Sequence, residues 1–191
     1  MTDKVLVYTG LEIFIRGPAA EMINGWRRRY DPAYPELEPH ISLAYTPFVP
    51  LEQWPQVKPL VAACLAGFAP FRVILKEPGI FPGDSPLEPN VLWLKPEAGG
   101  VLYHMRQALE KQLPAYVPPM ATPYIPHVSI GFIQGGEALE QALALVRAEL
   151  QPLEFSVTEV VYEVDDKGCG TMFMDHLPLP GGVQSLKGEV T

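Results

Sequence analysis

Apolar and polar residues alternate along "KVLVYTGLEIFIRG" (4–17), a period of two that predicts a strand with a break near Gly10. From Pro18 to Tyr30 the spacing lengthens to that of a helix, with Pro18 tolerated in its first turn. A short strand follows in "PHISLAY" (39–45), then a helix in "EQWPQVKPLVAACLAGF" (52–68), expected to begin after one of its prolines. "FRVILKEPGIF" (71–81) returns to strand. The same signals then recur: strand "NVLWLKP" (90–96), helix "GGVLYHMRQALEKQL" (99–113), strand "PHVSIGF" (126–132) and helix "EALEQALALVRAEL" (137–150). "EFSVTEVVYEV" (154–164) and "GTMFMDHLPL" (170–179) close the chain as strands, with "DDKG" (165–168) as their turn. Strand, helix, strand, helix, strand in each half predicts an α+β protein, residues 1–191 forming a single bilobal domain. Each lobe is expected to hold one short sheet covered by helices on one side, with one motif strand per lobe, near 39–45 and 126–132.

Composition narrows the functional classes. With 48% hydrophobic and 19% charged residues the chain has the make-up of an ordinary globular protein, and its 22 prolines cluster in connectors between the predicted elements. No signal peptide and no apolar run of about 20 residues is visible, so a soluble, cytoplasmic protein without a membrane partner is expected. Cys64 and Cys169 have no metal-ligand spacing and predict no disulfide framework. A net charge of −8 argues against an extensive nucleic-acid surface. It leaves room for a cleft that holds one phosphate or an RNA end, which needs only local donors.

Two of the four histidines lie in near-copies of one peptide, "EPHISLAY" (38–45) and "IPHVSIGF" (125–132). On a strand, alternate side chains share a face. His40, Ser42 and Ala44 are therefore expected to point one way and Ile41, Leu43 and Tyr45 the other. His127, Ser129 and Gly131 are likewise expected to oppose Val128, Ile130 and Phe132. The small Ala44 and Gly131 are read as leaving space beside His and Ser for a ligand. Two imidazoles meeting across a cleft can serve as base and acid near neutrality, and serine hydroxyls can donate to oxygens held between them. A group that loses a proton on one side, gains one on the other, and has two nonbridging oxygens between is a phosphodiester undergoing in-line displacement.

On "HISL" (40–43) and "HVSI" (127–130), with their spacing and flanking residues, the chain resembles the 2H phosphoesterase superfamily. Within it, the likeness is to the bacterial 2′-5′ RNA ligase or cyclic phosphodiesterase-like proteins. "NVLWLKP" and the closing "GTMFMDHLPL" also look like that family's pattern. The resemblance implies pseudo-twofold lobes with small, mainly antiparallel sheets and helices outside. It also implies an active site without metal or cofactor that acts on cyclic phosphates or 2′-5′ linkages of small nucleotides or RNA 3′-ends. By motif position His40 and His127 become the acid/base pair, and Ser42 and Ser129 the phosphate binders. Some relatives carry a basic residue directly after the second motif, where this chain has Phe132.

Other candidates weigh less. Tyr124, in a proline-stiffened loop before His127, is read as a stacking surface for a base or as a packing residue. "WRRRY" (26–30) is read as a helix C-terminus complementing its dipole, with contact to an RNA strand as the alternative. His104 fits a helix face and His176 a strand end. A zinc site from His40, His127 and His176 lacks the usual closely spaced ligands. The competing functional reading is a module that holds an RNA end or nucleotide without turnover; 2′-5′ RNA ligation is the same chemistry reversed.

Overall fold

The computed structural model describes residues 7–85, 87–166 and 170–180. The elements run β1 (Val7–Phe14), α1 (Pro18–Tyr30), β2 (His40–Ala44), α2 (Trp54–Leu65), β3 (Phe71–Phe81), β4 (Asn90–Glu97), α3 (Val101–Gln112), β5 (Val128–Ile133), α4 (Glu137–Glu149), β6 (Leu153–Val157), β7 (Glu159–Asp166) and β8 (Gly170–Pro178). Residues 4–6 of the first expected strand, Lys167 and Gly168 of the expected turn, and Cys169 lie outside the described residues.

The strands form two antiparallel sheets of four, ordered β2-β1-β7-β8 and β5-β4-β3-β6. Each sheet has a motif strand at one edge, and the two motif strands touch. The buried side chains of both sheets and the helices join in one apolar cluster, from Leu11 and Ile13 through Val73 and Leu94 to Tyr162. Among the described residues this is the α+β architecture of two related antiparallel sheets with four α-helices.

The halves of the chain interlock instead of each building its own sheet. β3, from the first half, pairs with β4 and β6, while the C-terminal β7 and β8 complete the first sheet on the free side of β1. The expected single strand 154–164 is broken at Thr158, which sends β6 and β7 to different sheets. The helices cross as well: α1 packs on β5 and α3 on β2.

Helix α2 differs from expectation at its start. It begins at Trp54, ahead of both prolines, after a 3₁₀ turn at Leu51–Gln53; Pro55 occupies its first turn and Pro59 its interior. The first turn costs Pro55 nothing, because its missing N–H would be unpaired there. Trp54 fixes the start through tertiary contacts. Its indole Nε1 donates to Asp175 Oδ2 at 2.8 Å and its ring stacks on Tyr162 with centroids 3.9 Å apart.

Candidate active site

The two motif histidines are held in the same way. His40 Nδ1 lies 2.8 Å from the Glu38 carbonyl and His127 Nδ1 lies 2.8 Å from the Ile125 carbonyl, two residues back in each case. A carbonyl oxygen only accepts, so Nδ1 carries the hydrogen and Nε2 is the atom left for chemistry. Pro39 and Pro126 lie between each donor and acceptor, and their fixed φ, with the extended bias they impose on the preceding residue, holds the carbonyl under the ring. That is a physical reason for proline in both copies.

Each motif strand carries a β-bulge at the same place. Ser42 and Ala44 oppose the consecutive residues Glu12 and Leu11, leaving Leu43 as the extra residue. Ser129 and Gly131 oppose Trp93 and Leu92, leaving Ile130 as the extra one. The bulge reverses the alternation beyond the serine and corrects the expected faces. Ala44 and Gly131 turn into the core, while Tyr45 and Phe132 turn to the side of the histidines. Tyr45 lines a cavity with His40 and Ser42, and its ring lies near parallel to that of His127 with centroids 6.4 Å apart. Gly131 is small for the sake of helix α1: a Cβ there would collide with Tyr30 Cβ. The space beside it belongs to a helix and not to a ligand.

Buried polar groups support this arrangement. Arg106 on α3, 4% exposed, donates from Nη1 to the carbonyl of the bulged Leu43 at 3.0 Å and from Nε to Glu110 at 2.7 Å. Its guanidinium also lies over Tyr45 and Tyr124. The Tyr124 hydroxyl donates to the Ser42 carbonyl at 2.8 Å. At 8% exposed, Tyr124 ties the loop before the second motif to the first motif strand, and its ring is not open for a base to stack upon.

The two histidines differ in what surrounds them. Burial lowers the pKa of His40, opposed by the Glu38 carbonyl and by the carboxylates of Glu163 and Asp31, while Arg27 lowers it further. Burial also lowers that of His127, opposed by the Ile125 carbonyl, and charge on His40 lowers it more. His127 stands among aromatic rings, with Phe81 at 4.9 Å and Trp93 at 6.2 Å between centroids. The first site is thus rich in carboxyls and the second in aromatic carbon.

The residues facing the two serines across the bulges are equally unlike. Opposite Ser42 is Glu12, 7% exposed; burial pushes the pKa of its carboxyl up to about 8, with the neighbouring Ser42 hydroxyl opposing. Opposite Ser129 is Trp93. Glu12 Oε2 and Trp93 Nε1 are both buried without a hydrogen-bond partner.

The sequence reading missed Glu12, Tyr45, Trp93, Glu163 and Asp165. A signal for Glu12 was present: Tyr8, Gly10, Glu12 and Phe14 share one face of β1, a carboxylate in the middle of an otherwise apolar strand face. Gly10 leaves room beside it, since a Cβ at that position would meet the Glu12 carboxylate and force that side chain to shift.

The remaining candidates lie elsewhere. His176 is three strands from Ser42 along the row Ser42, Glu12, Val161, His176, or roughly 14 Å at the usual strand spacing, and it pairs with Glu159 at 2.9 Å. It is not brought to His40 and His127 as a zinc site requires. Among the described residues no group of three His, Cys, Asp or Glu is arranged to hold a metal ion. His104 is exposed on α3 and Cys64 faces the Ala108 carbonyl. In "WRRRY" Arg27 is buried against Asp31, Arg28 meets Tyr34, and Arg29 and Trp26 meet Glu149. Among the described residues no helix is long and apolar enough to cross a membrane.

Paired antiparallel sheets with touching His-x-Ser edge strands define the class of fold as that of the 2H phosphoesterases. The family model of the 2′-5′ RNA ligase superfamily matches residues 16–168, and the chain belongs to that family. A protein of Geobacillus thermodenitrificans (strain NG80-2) named "Putative phosphoesterase" is 29% identical over 170 residues, covering 86% of this chain and 92% of that protein. Among solved structures, TT0787 of Thermus thermophilus shares the fold with a TM-score of 0.60 at 19% identity, over 89% of this chain and 97% of that one. E. coli LigT in apo form does so with a TM-score of 0.61 at 17% identity, over 90% and 97%. LigT has also been solved with 3′-AMP; that chain aligns with a TM-score of 0.61 at 18% identity, over 90% and 94%. The coarse chemical class that follows from the family is a phosphoesterase or 2′-5′ RNA ligase-like enzyme.

Proposed function

We propose that the chain is a phosphodiesterase acting on cyclic phosphates, 2′,3′-cyclic or related, or on 2′-5′ linkages of nucleotides or RNA ends. His127 is its general base and His40 its general acid. The observation that carries this reading is the matched pair of Nδ1 contacts to carbonyls, on two touching edge strands, which leaves two Nε2 atoms for proton transfer. The LigT complex with 3′-AMP supports a nucleotide as the class of ligand.

His127 Nε2 takes a proton from water as the oxygen attacks phosphorus, and His40 Nε2 delivers a proton to the departing ribose oxygen. The roles follow from the surroundings. Burial opposes a proton on both; at His40 the Glu163 carboxylate works against burial, with Arg27 and Asp31 acting in opposite senses, whereas at His127 the charge of His40 adds to it. On this difference in neighbouring charge we assign the shared proton, and with it the acid role, to His40. The hydroxyls of Ser42 and Ser129 donate to the nonbridging oxygens as negative charge grows there. Neutral Glu12 can donate to Ser42 Oγ and free that hydroxyl's hydrogen for the phosphate; an ionised Glu12 would claim it. If each imidazole contributes about 10² to 10⁴, the pair lowers the barrier by roughly 5 to 11 kcal/mol, and no metal is assigned to the chemical step. With a ribose 5′-hydroxyl in place of water the same geometry would run ligation.

Hydrolysis of 2′,3′-cyclic nucleotides in the presence of a chelator tests the reading. His40→Ala and His127→Ala should each lower kcat by about 10² to 10⁴. A phosphodiester with a nitrophenol leaving group needs little acid assistance, so His40→Ala should lose much less on it while His127→Ala loses as much. Equal losses on both compounds would refute the division of roles. Retained nucleotide binding with no turnover in the wild type would make the protein a binding module.

A further inference from the structure

We propose that the carboxyl-lined pocket beside His40 receives the ribose whose oxygen leaves phosphorus, and that it accepts a ribose with a free 5′-hydroxyl while rejecting one that carries a 5′-phosphate. The inference rests on the phosphodiesterase reading and on His40 as its acid. It deepens that reading by naming the substrate class: mononucleoside cyclic phosphates ahead of RNA 3′-ends, whose terminal ribose is esterified at its 5′ carbon.

The acid must stand beside the oxygen that leaves, so the ribose lies on the His40 side of the phosphorus. On that side lies a cavity of about 220 Å³, which His40 and Ser42 border together with Glu12, Glu163, Asp165 and Tyr45. This equals the liquid volume of roughly seven waters, the scale of a sugar-sized group. Glu12 is more than nine-tenths buried, lines the cavity, and has Oε2 without a hydrogen-bond partner. Asp165 Oδ1 is also buried and unpaired. Buried oxygens without donors are costly, and hydroxyls brought by a ligand would satisfy them.

The same wall repels a second phosphate. Among the described residues no lysine or arginine borders the cavity, and its ionisable groups other than His40 are carboxyls and phenols. Glu163 is already engaged as acceptor from the Thr171 hydroxyl at 2.7 Å. A 5′-phosphate would bring further negative charge to this face with no cation to meet it. A 5′-hydroxyl, by contrast, is a donor that the unpaired oxygens can accept.

The test compares kcat/KM for adenosine 2′,3′-cyclic phosphate and for its 5′-phosphorylated form, using the full chain with a chelator. Wild type should favour the 5′-hydroxyl compound by about tenfold or more, as like charges held near one another in a partly buried site imply. Asp165→Asn and Glu163→Gln, each close to isosteric, should reduce the preference to within about threefold by raising turnover of the phosphorylated compound. Equal turnover of both compounds by wild type overturns the inference, and this arm depends on no variant folding. A preference that neither variant changes also overturns it. Failure to turn over either compound overturns the phosphodiesterase reading itself, and the inference with it.

Discussion

Replacing Glu12 by glutamine should make the protein more stable, and more so as the pH rises. Glu12 is raised from 4.5 to about 8 by burial, with the Ser42 hydrogen bond opposing. Between those values the folded chain keeps a proton that the unfolded chain releases, so folding stability falls as pH climbs through the window. The shift of about 3.5 units, at about 1.4 kcal/mol each, puts the total near 5 kcal/mol, with roughly 3 kcal/mol already lost at pH 7. Glutamine fills the same space and has no proton to lose. Its stability advantage over wild type should therefore grow by several kcal/mol between pH 4.5 and pH 8.5. Glu163 and Asp165 are also raised by burial, but they titrate in both proteins and largely cancel in the difference. Urea unfolding of both proteins at pH 4.5, 7 and 8.5 measures this directly. A difference that stays constant across the range would refute the assignment of Glu12 as a neutral buried carboxyl, and with it the account of how Ser42 is oriented.

Three further outcomes follow from the site's construction. Gly131→Ala should destabilise the fold by about 1 to 3 kcal/mol, because the new methyl meets Tyr30 at the crossing of α1 over β5; thermal or urea unfolding reads it. Tyr124→Phe leaves the Ser42 carbonyl without its donor, which should cost about 1 to 3 kcal/mol of stability and lower kcat more than it changes KM. Because burial lowers both histidines, the bell-shaped profile of kcat/KM should be centred on the acid side of pH 6.5: activity falls below it as His127 gains a proton and above it as His40 loses one. A bell centred above neutrality would contradict that environment.

The elements were legible wherever one face is apolar and the other polar, because a period of 2 or 3.6 is a local property; helices α1, α3 and α4 fall within a few residues of their patterns. The bulges were not. A bulge is a change of pairing register and needs no special residue at Leu43 or Ile130, so simple alternation misplaces the faces of Tyr45, Phe132, Ala44 and Gly131 beyond the serines. The choice of sheet for β3, β7 and β8 was equally hidden, since it is decided by partners far along the chain. Thr158 gave no sign of ending a strand: it is itself β-branched and lies between Val157 and the Val160–Val161 pair, which favour strand in either sheet. The carboxyl pocket combines both difficulties, because Glu12 and Glu163 meet only once β1 and β7 are paired.

Pairing β1 with β7 has a consequence during translation. Glu12 lies opposite Val161, so 149 residues must be made after Glu12 before its partner exists. At about 5 to 20 residues per second the ribosome needs roughly 7 to 30 s for that stretch. Throughout it, one side of β1 is a bare row of amides and carbonyls able to template another nascent chain. A cell producing this protein must tolerate that interval at every synthesis, and slow codons placed after β2 would lengthen it.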